Sequence, residues 1–224
     1  MKLLALETAT QWCSVALLED QGEPLEQCQL APREQTRLLL PMVQALLSES
    51  GWSLGQLDGI AFGHGPGAFT GVRVATSVAQ GLAFSAGLPL VGVSTLASCA
   101  LAAAREHGAG HWLAAFDARM GQLYAGGYRI LEDGTVTCEV ADCLCDPAAM
   151  PALPGGDWRG AGDGGTVPGL DTRATVSRWY SDVAPRAATV AQLAMPSLIA
   201  GDTLSPEQAA PVYLRNQVIQ GAIK

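Results

Sequence analysis

The sequence predicts an α/β protein of two lobes, each a mixed sheet with helices. Three observations carry this. Strand-length apolar runs at residues 3–7, 12–18 and 25–30 follow one another before any helix-length run, which is how an antiparallel opening to a mixed sheet reads. From residue 33 to residue 106, helix and strand patterns then alternate, the pattern of parallel strands joined by crossover helices. Residues 112–117, 122–130 and 135–144 restart with a similar run of three strands, a weak internal repeat consistent with a duplicated lobe.

Taken in order, Asp20-Gln21-Gly22-Glu23-Pro24 is turn chemistry between the second and third strands. Residues 33–50 predict a helix closed by Gly51, with Pro41 either kinking it or marking its true start. Its apolar positions, from Leu38 to Leu47, cover more than one face, so something besides its own sheet must cover it. Residues 58–63 predict a strand and residues 70–86 a helix rich in small residues, with Thr70 as N-cap. Between them Gly63, Gly65, Gly67 and Gly71 allow a tight turn and close backbone approach, and Pro66 stiffens it. Free N–H groups at such a helix start suit an anion. The same stretch also reads as a connection without ligand, because the Gly-Lys-Ser/Thr ending of a phosphate loop is missing.

Residues 88–93 predict a strand and 95–106 a helix, with His107-Gly108-Ala109-Gly110 as the hinge between lobes. Asp117-Ala118-Arg119-Met120-Gly121 is a tight turn, in the place that residues 7–10 hold in the first lobe. Residues 147–169 read as loop with one strand near Trp158, residues 190–199 as a helix, and residues 205–208 as a turn with a capping box. The lobes are therefore expected at residues 1–106, with the tail 206–224 returning to them, and at residues 107–205.

Bulk properties narrow the function. The 224 residues are 49% hydrophobic and 15% charged, the balance of a folded globule. The formal charge is −8, which would repel the phosphates of a nucleic acid held by this chain alone. No apolar run approaches membrane-spanning length, and Glu7 lies too early for a signal peptide, so a cytoplasmic protein is expected. Cysteines 13, 28, 99, 138, 143 and 145 are scattered and are expected as thiols.

No nucleophile–base pair stands out, so no catalytic residue is assigned. His107 and His111 have metal-ligand spacing, but two glycines separate them, and Cys138, Cys143 and Cys145 lack zinc spacing and a fourth ligand; no metal is expected. Arg33, Arg37, Arg73, Arg119, Arg129 and Arg215 are the cations nearest the motifs. Arg73 is expected either to meet phosphate or to pair with Glu7, Glu34 or an acid across an interface. His64 reads as an anion donor or a solvated turn residue.

The ordered motifs carry a resemblance. Gly63-x-Gly65-Pro66-Gly67-x-Phe69-Thr70-Gly71-x-Arg73 is similar to the signature of the TsaB (YeaZ) family. Further matches are Glu7-Thr8-Ala9-Thr10 with Cys13-Ser14-Val15-Ala16, Pro32-Arg33-Glu34 leading to Leu39-Leu40-Pro41, and Val91-Gly92-Val93-Ser94-Thr95-Leu96. Asp117-Ala118-Arg119-Met120-Gly121 and Pro211-Val212-Tyr213-Leu214-Arg215-Asn216 complete the series. The likeness is dense over residues 1–130 and thin over 131–205.

That resemblance implies a two-lobed actin-like ATPase (ASKHA) fold. In active members of this fold, nucleotide lies between the lobes against the first hairpin turn of each, here residues 8–13 and 117–122, and an acid there serves Mg²⁺ or water. Glu7, one methylene longer than the family's usual Asp, and Asp117 hold those places; each also reads as a turn cap. Glu7, Thr8, Thr10, Gly65, Gly67, Asp117 and Arg119 thus form an expected vestigial nucleotide or anion site, with residues 160–165 as the adenosine-side loop or a mobile surface loop. The catalytic paralogue TsaD carries a metal-binding His pair where this sequence has Thr95 and Cys99.

By resemblance the chain is a non-catalytic scaffold that pairs with TsaD and works with the ATPase TsaE. The product is threonylcarbamoyladenosine beside the anticodon of tRNAs reading codons that begin with A. Alone it is expected to form a homodimer, to meet tRNA only indirectly, and to hold no tight cofactor, with ATP or ADP admitted at the interface of the complex. The expected interface lies on helices 33–50 and 70–86 through Arg33, Thr36, Leu39, Val43, Leu46, Thr70, Arg73, Val74, Ser77 and Val78. On that reading Leu39→Glu or Val78→Glu breaks dimerisation without unfolding. The alternative is a small ATP-dependent kinase or ATPase of the same fold.

Overall fold

The computed structural model describes residues 1–20, 22–170 and 176–215. The turn residue Gln21 and the motif residue Asn216 therefore lie outside the described residues, as does the tail beyond residue 215.

The first sheet is built from β1 (Lys2–Glu7), β2 (Trp12–Glu19), β3 (Leu25–Leu30), β4 (Gly59–Gly65) and β5 (Leu90–Ser94), in the order β3-β2-β1-β4-β5. β1, β2 and β3 run antiparallel, whereas β4 and β5 are parallel to β1. Crossovers are made by α1 (Gln35–Ser50) and α2 (Phe69–Ala86). Both faces of the sheet are covered, so alternate residues of β1 enter different cores. Leu4 and Leu6 pack with Leu39, Val43 and Leu46 of α1 and Ala75, Ala79 and Ala83 of α2. Leu3 and Ala5 pack with Val190, Ala194 and Leu198 of α4 (Ala187–Ala200).

The second sheet repeats the first. Its strands are β6 (Gly110–Arg119), β7 (Gln122–Ile130), β8 (Val136–Cys145), β9 (Trp158–Ala161) and β10 (Val176–Tyr180), in the order β8-β7-β6-β9-β10. Again the first three are antiparallel, and β9 and β10 are parallel to β6. One face is covered by α3 (Thr95–His107), through Leu96, Cys99 and Ala100 against Trp112, Phe116 and Tyr128. Among the described residues no α-helix packs on the other face; Met150 and Leu153, from the segment between β8 and β9, cover Trp158 and Leu113.

The terminal helices are exchanged. α3 follows the first sheet but packs on the second, and α4 follows the second but packs on the first. They meet in the middle, where Leu193 borders both cores and Ser98 Oγ lies 2.8 Å from Thr189 Oγ1. The connection between α3 and β6, where the hinge was expected at His107-Gly108-Ala109-Gly110, is bound by Arg159, whose guanidinium donates to the carbonyls of His107, Gly108 and Ala109 and lies 4.2 Å from the Trp112 ring. The His107 carbonyl is the last of α3, a favourable place for a cation.

Several expectations are corrected. α1 begins at Gln35, so Pro41 sits inside it; Arg33 precedes the helix with φ 65. α2 begins at Phe69 with Ala68 at the cap and no side-chain cap bond, so Thr70 is a first-turn residue. β4 runs on to Gly65, which makes His64 a strand residue. β10 was not expected, because exposed Ser177 and Arg178 interrupt the apolar pattern of Val176–Tyr180. Gly51 and Gly87 do close their helices, at φ 70 and 66, the left-handed conformation that glycine adopts freely. At residues 205–208, Ser205 N–H donates to Gln208 Oε1, while the Ser205 hydroxyl bonds Glu207 and leaves the capping box half made.

Among the described residues no helix is long and apolar enough to cross a membrane. After α4 the chain follows the edge of the first sheet. Leu204 bridges Leu90, Gln80 Nε2 donates to the carbonyls of Pro206 and Ala209, and Val212 N–H donates to His64 O. Arg215 then reaches the second lobe and donates to Ala118 O at 3.1 Å.

Candidate functional site

The two hairpin turns and the glycine turn converge at the carboxyl ends of β1, β4 and β6. In the first lobe the place is filled by the chain itself. Glu7 is 1% exposed. Its Oε1 accepts the Ala9 N–H at 2.6 Å, closing the turn after β1, and its Oε2 has no partner among the described residues. Burial pushes this carboxyl up to about 7, partly opposed by the N–H groups of Ala9 and Thr8. A side chain at Gly63 would overlap Oε2, so that glycine is what admits the acid.

The rest of the glycine motif serves the same packing. Thr8 Oγ1 donates to Gly71 O at 2.7 Å, and Ala68 N–H donates to Ala9 O at 2.8 Å. A Cβ at Gly71 would overlap Thr8 O, and one at Gly67 would lie 2.6 Å from Ala9 O. Thr10 bonds locally: its carbonyl accepts from Gln35 Nε2 at 2.9 Å and its hydroxyl from Trp12 N–H at 3.3 Å. The backbone of residues 8–9 thus packs directly against the glycine turn. Gly65, at φ 109, is covered by Val212 O. His64 is held against Gly92, and burial lowers its pKa to about 4, so it is a neutral imidazole and neither a solvated residue nor a cationic anion donor.

The second-lobe turn is open. Arg119, Met120 and Gly121 stand in succession at φ 65, 58 and 74. Asp117 accepts the Arg119 N–H at 2.7 Å and its guanidinium at 3.0 Å, while Asp117 N–H donates to Asp163. Residues 160–165 do not form a mobile surface loop. Gly160 and Gly165 lie directly under the Trp179 ring, Gly164 lies on Ala115, and Trp179 Nε1–H donates to Gly162 O at 2.8 Å.

His107 stacks on Tyr180 at 3.8 Å between ring centroids, and His111 lies 3.5 Å from Glu139, so the two rings have different partners. Among the described residues no cluster of three or more His, Cys, Asp or Glu could hold a metal. All six cysteines are free thiols. Arg73 pairs with neither Glu7 nor Glu34. Its guanidinium lies 3.7 Å from the Phe69 ring, and its Nε–H donates to the Tyr213 hydroxyl at 2.7 Å.

The expected interface set divides. Arg33, Thr36, Thr70, Arg73 and Ser77 are exposed, and Val74 and Val78 are half-buried against the core. Leu39, Val43 and Leu46 are buried under α1, so they cannot meet a partner, and Leu39→Glu would unfold the lobe rather than split a dimer. The outward apolar residues that sequence reading missed are Leu40, 45% exposed, and Phe84, 74% exposed. Helical phase was the usable signal, since Leu39, Val43 and Leu46 already form one stripe and Leu40 falls off it.

Sequence reading also missed a polar cluster between the sheets. Ser94 Oγ donates to Asp142 Oδ2 at 2.6 Å and accepts the Ala97 N–H at the start of α3, while the Tyr128 hydroxyl donates to Asp142 Oδ1. Burial raises the Asp142 carboxyl and the Tyr128 phenol alike.

Comparison with known proteins follows this geometry closely. The family model for TsaD, tRNA N6-adenosine threonylcarbamoyltransferase, matches residues 28–168. The tRNA threonylcarbamoyladenosine biosynthesis protein TsaB of Escherichia coli is 42% identical, over 97% of this chain and 96% of that protein. The protein of the same name from Haemophilus influenzae is 37% identical, over 97% and 95%. The solved structure of YeaZ from Pseudomonas aeruginosa superposes with a TM-score of 0.89 at 41% identity, covering 95% of this chain and 99% of that one.

Proposed function

The chain belongs to the TsaB (YeaZ) family of tRNA threonylcarbamoyladenosine biosynthesis proteins, with the actin-like fold of that family, and from this we propose that it is a non-catalytic subunit which covers an apolar helix face of TsaD. The observation that carries the proposal is the outer face of α1 and α2. Thr36, Leu40 and Gln44 of α1 and Ser77, Gly81 and Phe84 of α2 all face outward, so one large apolar side chain on each helix stands among uncharged residues. Such a face packs against a matching helix pair as half of a four-helix bundle. Alone, the same face pairs two copies about a two-fold axis.

Two further observations support the non-catalytic reading. Glu7, the acid that an ATPase would need at the first hairpin turn, is buried and holds the Ala9 N–H. The formal charge of −8 disfavours tRNA binding by this chain alone, so the tRNA is engaged through the complex. In this reading the ATPase TsaE joins the pair, ATP or ADP belongs to the interface of the complex, no metal or tight cofactor is held here, and the work is cytoplasmic.

Size-exclusion chromatography with light scattering tests it, on this chain alone and mixed with TsaD of the same organism. The expected result is a homodimer that gives way to a one-to-one complex. A monomer that ignores TsaD would overturn the proposal and turn attention to ATP hydrolysis.

A further inference from the structure

Arg73, which the expected interface included, stands in a surface of a different character, built from aromatic rings and cations. Arg73, on the first turns of α2, lies against two neighbouring aromatic rings whose centroids are 5.9 Å apart: its guanidinium carbon lies 3.7 Å from the Phe69 ring and 5.6 Å from the Tyr213 ring, and its Nε–H donates to the Tyr213 hydroxyl at 2.7 Å. Two residues after Tyr213, Arg215 crosses to the second lobe, where it donates to Ala118 O at 3.1 Å and lies 3.7 Å from Met120 Sδ. The Arg119 side chain beside it is 85% exposed.

The chain carries 21 acids against 13 Lys and Arg, yet neither Arg73 nor Arg215 has a carboxylate at ion-pair distance among the described residues. Rings and carbonyls hold these two guanidinium groups instead. They are fixed in place without being neutralised, which lowers the ordering cost of meeting an anion. Phe69 and Tyr213 remain 54% and 44% exposed beside them.

We propose that this platform is a contact surface for single-stranded RNA, with an unpaired base stacked on Phe69 or Tyr213 and the flanking phosphates met by Arg73 and Arg215. Alternating aromatic faces and fixed cations are what a single strand requires, because every base has a face to stack and every linkage a charge to meet. An acidic peptide would use the arginines and leave the aromatic faces idle. A mononucleotide favours an enclosed pocket, and this surface is open. Since the rest of the chain repels polyanions, the platform adds a short contact to RNA held by a larger assembly. To that extent the inference rests on the function proposed above.

The test is a fluorescence-anisotropy titration using a labelled RNA stem-loop with an unpaired loop. The protein is the complex of this chain with TsaD or, where the two do not associate, this chain alone at low salt. Arg73→Gln and Arg215→Gln are each expected to weaken binding about 5-fold and to lower the slope of log affinity against log salt by about 0.7. Phe69→Ala is expected to weaken it by about 5-fold or more with the slope unchanged. Arg129→Gln, at the far end of β7, should bind as the parent does. Tyr213→Phe keeps the ring and loses the hydroxyl, so it separates stacking from the support of Arg73, and thermal melts verify that each variant is folded. Unchanged RNA binding in all three platform variants overturns the inference. So does displacement of the RNA by ADP at equal concentration, which would mark a mononucleotide site, or loss of TsaD binding with RNA affinity intact, which would mark a protein-docking surface. Failure to associate with TsaD in light scattering sinks the scaffold proposal alone, because the titration is then read on the single chain.

Discussion

The two sheets have the same strand order and the same parallel and antiparallel pairings, but they are covered differently. In the first, long helices α1 and α2 make both crossovers and lie on one face. In the second, the corresponding link between β8 and β9 is an irregular segment with a single 3-10 turn, and Met150 and Leu153 lie where a helix would. A parallel pair needs a crossover, but only a helix brings a second, outward face with it. The second lobe can therefore seal itself with a loop and present nothing. The first must present whatever α1 and α2 do not bury. Both sheets borrow their remaining helix from the other, so the halves are bound through α3 and α4 whichever cover they use.

Truncations in the two covers should therefore differ in cost. Leu39→Ala empties a fully buried site under α1 and is expected to cost about 2–5 kcal/mol. Leu153→Ala, in a half-buried loop position, is expected to cost about 1 kcal/mol. Urea unfolding monitored by circular dichroism measures both. Equal costs would mean that the loop is as tightly packed as the helix.

The hairpin turns sharpen the contrast through pH. Glu7 is closed in, and its pKa is raised from 4.5 to about 7 in the folded protein. The folded state therefore holds this proton after the unfolded chain has lost it. The resulting stability is complete below pH 4.5 and falls away as pH rises through 7, by roughly 3 kcal/mol in all. Glu7→Gln should remove that fall. Subtracting the variant's stability-against-pH curve from the parent's cancels the contribution of His64, whose pKa is lowered to about 4 and which acts in the opposite direction. A flat difference curve between pH 4.5 and 7 would show that Glu7 is ionised and solvated. In the second lobe, Asp117 lies beside the exposed Arg119, and Asp117→Asn is expected to change stability by less than about 1 kcal/mol.

Much of this was legible in the residues. The succession of strands and helices in the first half follows from three successive short strands and two alternations, and the turn at Asp117-Ala118-Arg119-Met120-Gly121 betrayed the repeat. The cover of the second sheet was not legible, because Met150 and Leu153 sit among Gly and Pro residues with no period to read. At the candidate site the glycine motif was seen, but its purpose was not. An invitation to phosphate and a close approach of the chain's own backbone ask for the same glycines, and only the position of Thr8 and Ala9 decides between them. The apolar breadth of two helices placed the expected interface on α1 and α2, and Leu39, Val43 and Leu46, which are buried, were assigned to it because a leucine-rich helix hides its phase.

That distinction between glycines can be broken directly. Gly71→Ala drives a methyl group into the Thr8 carbonyl and is expected to cost about 1–3 kcal/mol, since backbone on both sides must shift. Gly121→Ala meets no atom within 4 Å, and its cost is the left-handed φ of 74 alone, about 1 kcal/mol. Thermal melts of the pair rank them. The reverse order would place the strain of the repeat in the second turn.

The smallest expected change in stability carries the largest consequence for assembly. Leu40 is 45% exposed on α1, and Leu131 is 41% exposed at the end of β7. Glutamate at either position adds a charge that stays in water, so each melt should move by no more than about 0.5 kcal/mol. Leu40→Glu nevertheless places that charge in the middle of the outward helix face, where a partner would have to desolvate it. Light scattering should therefore find the Leu40→Glu chain monomeric and unable to join TsaD, while Leu131→Glu behaves as the parent. The opposite result, association lost with Leu131→Glu and kept with Leu40→Glu, would move the interface to the loop-covered lobe and leave the two helices of the first lobe with no partner to explain them.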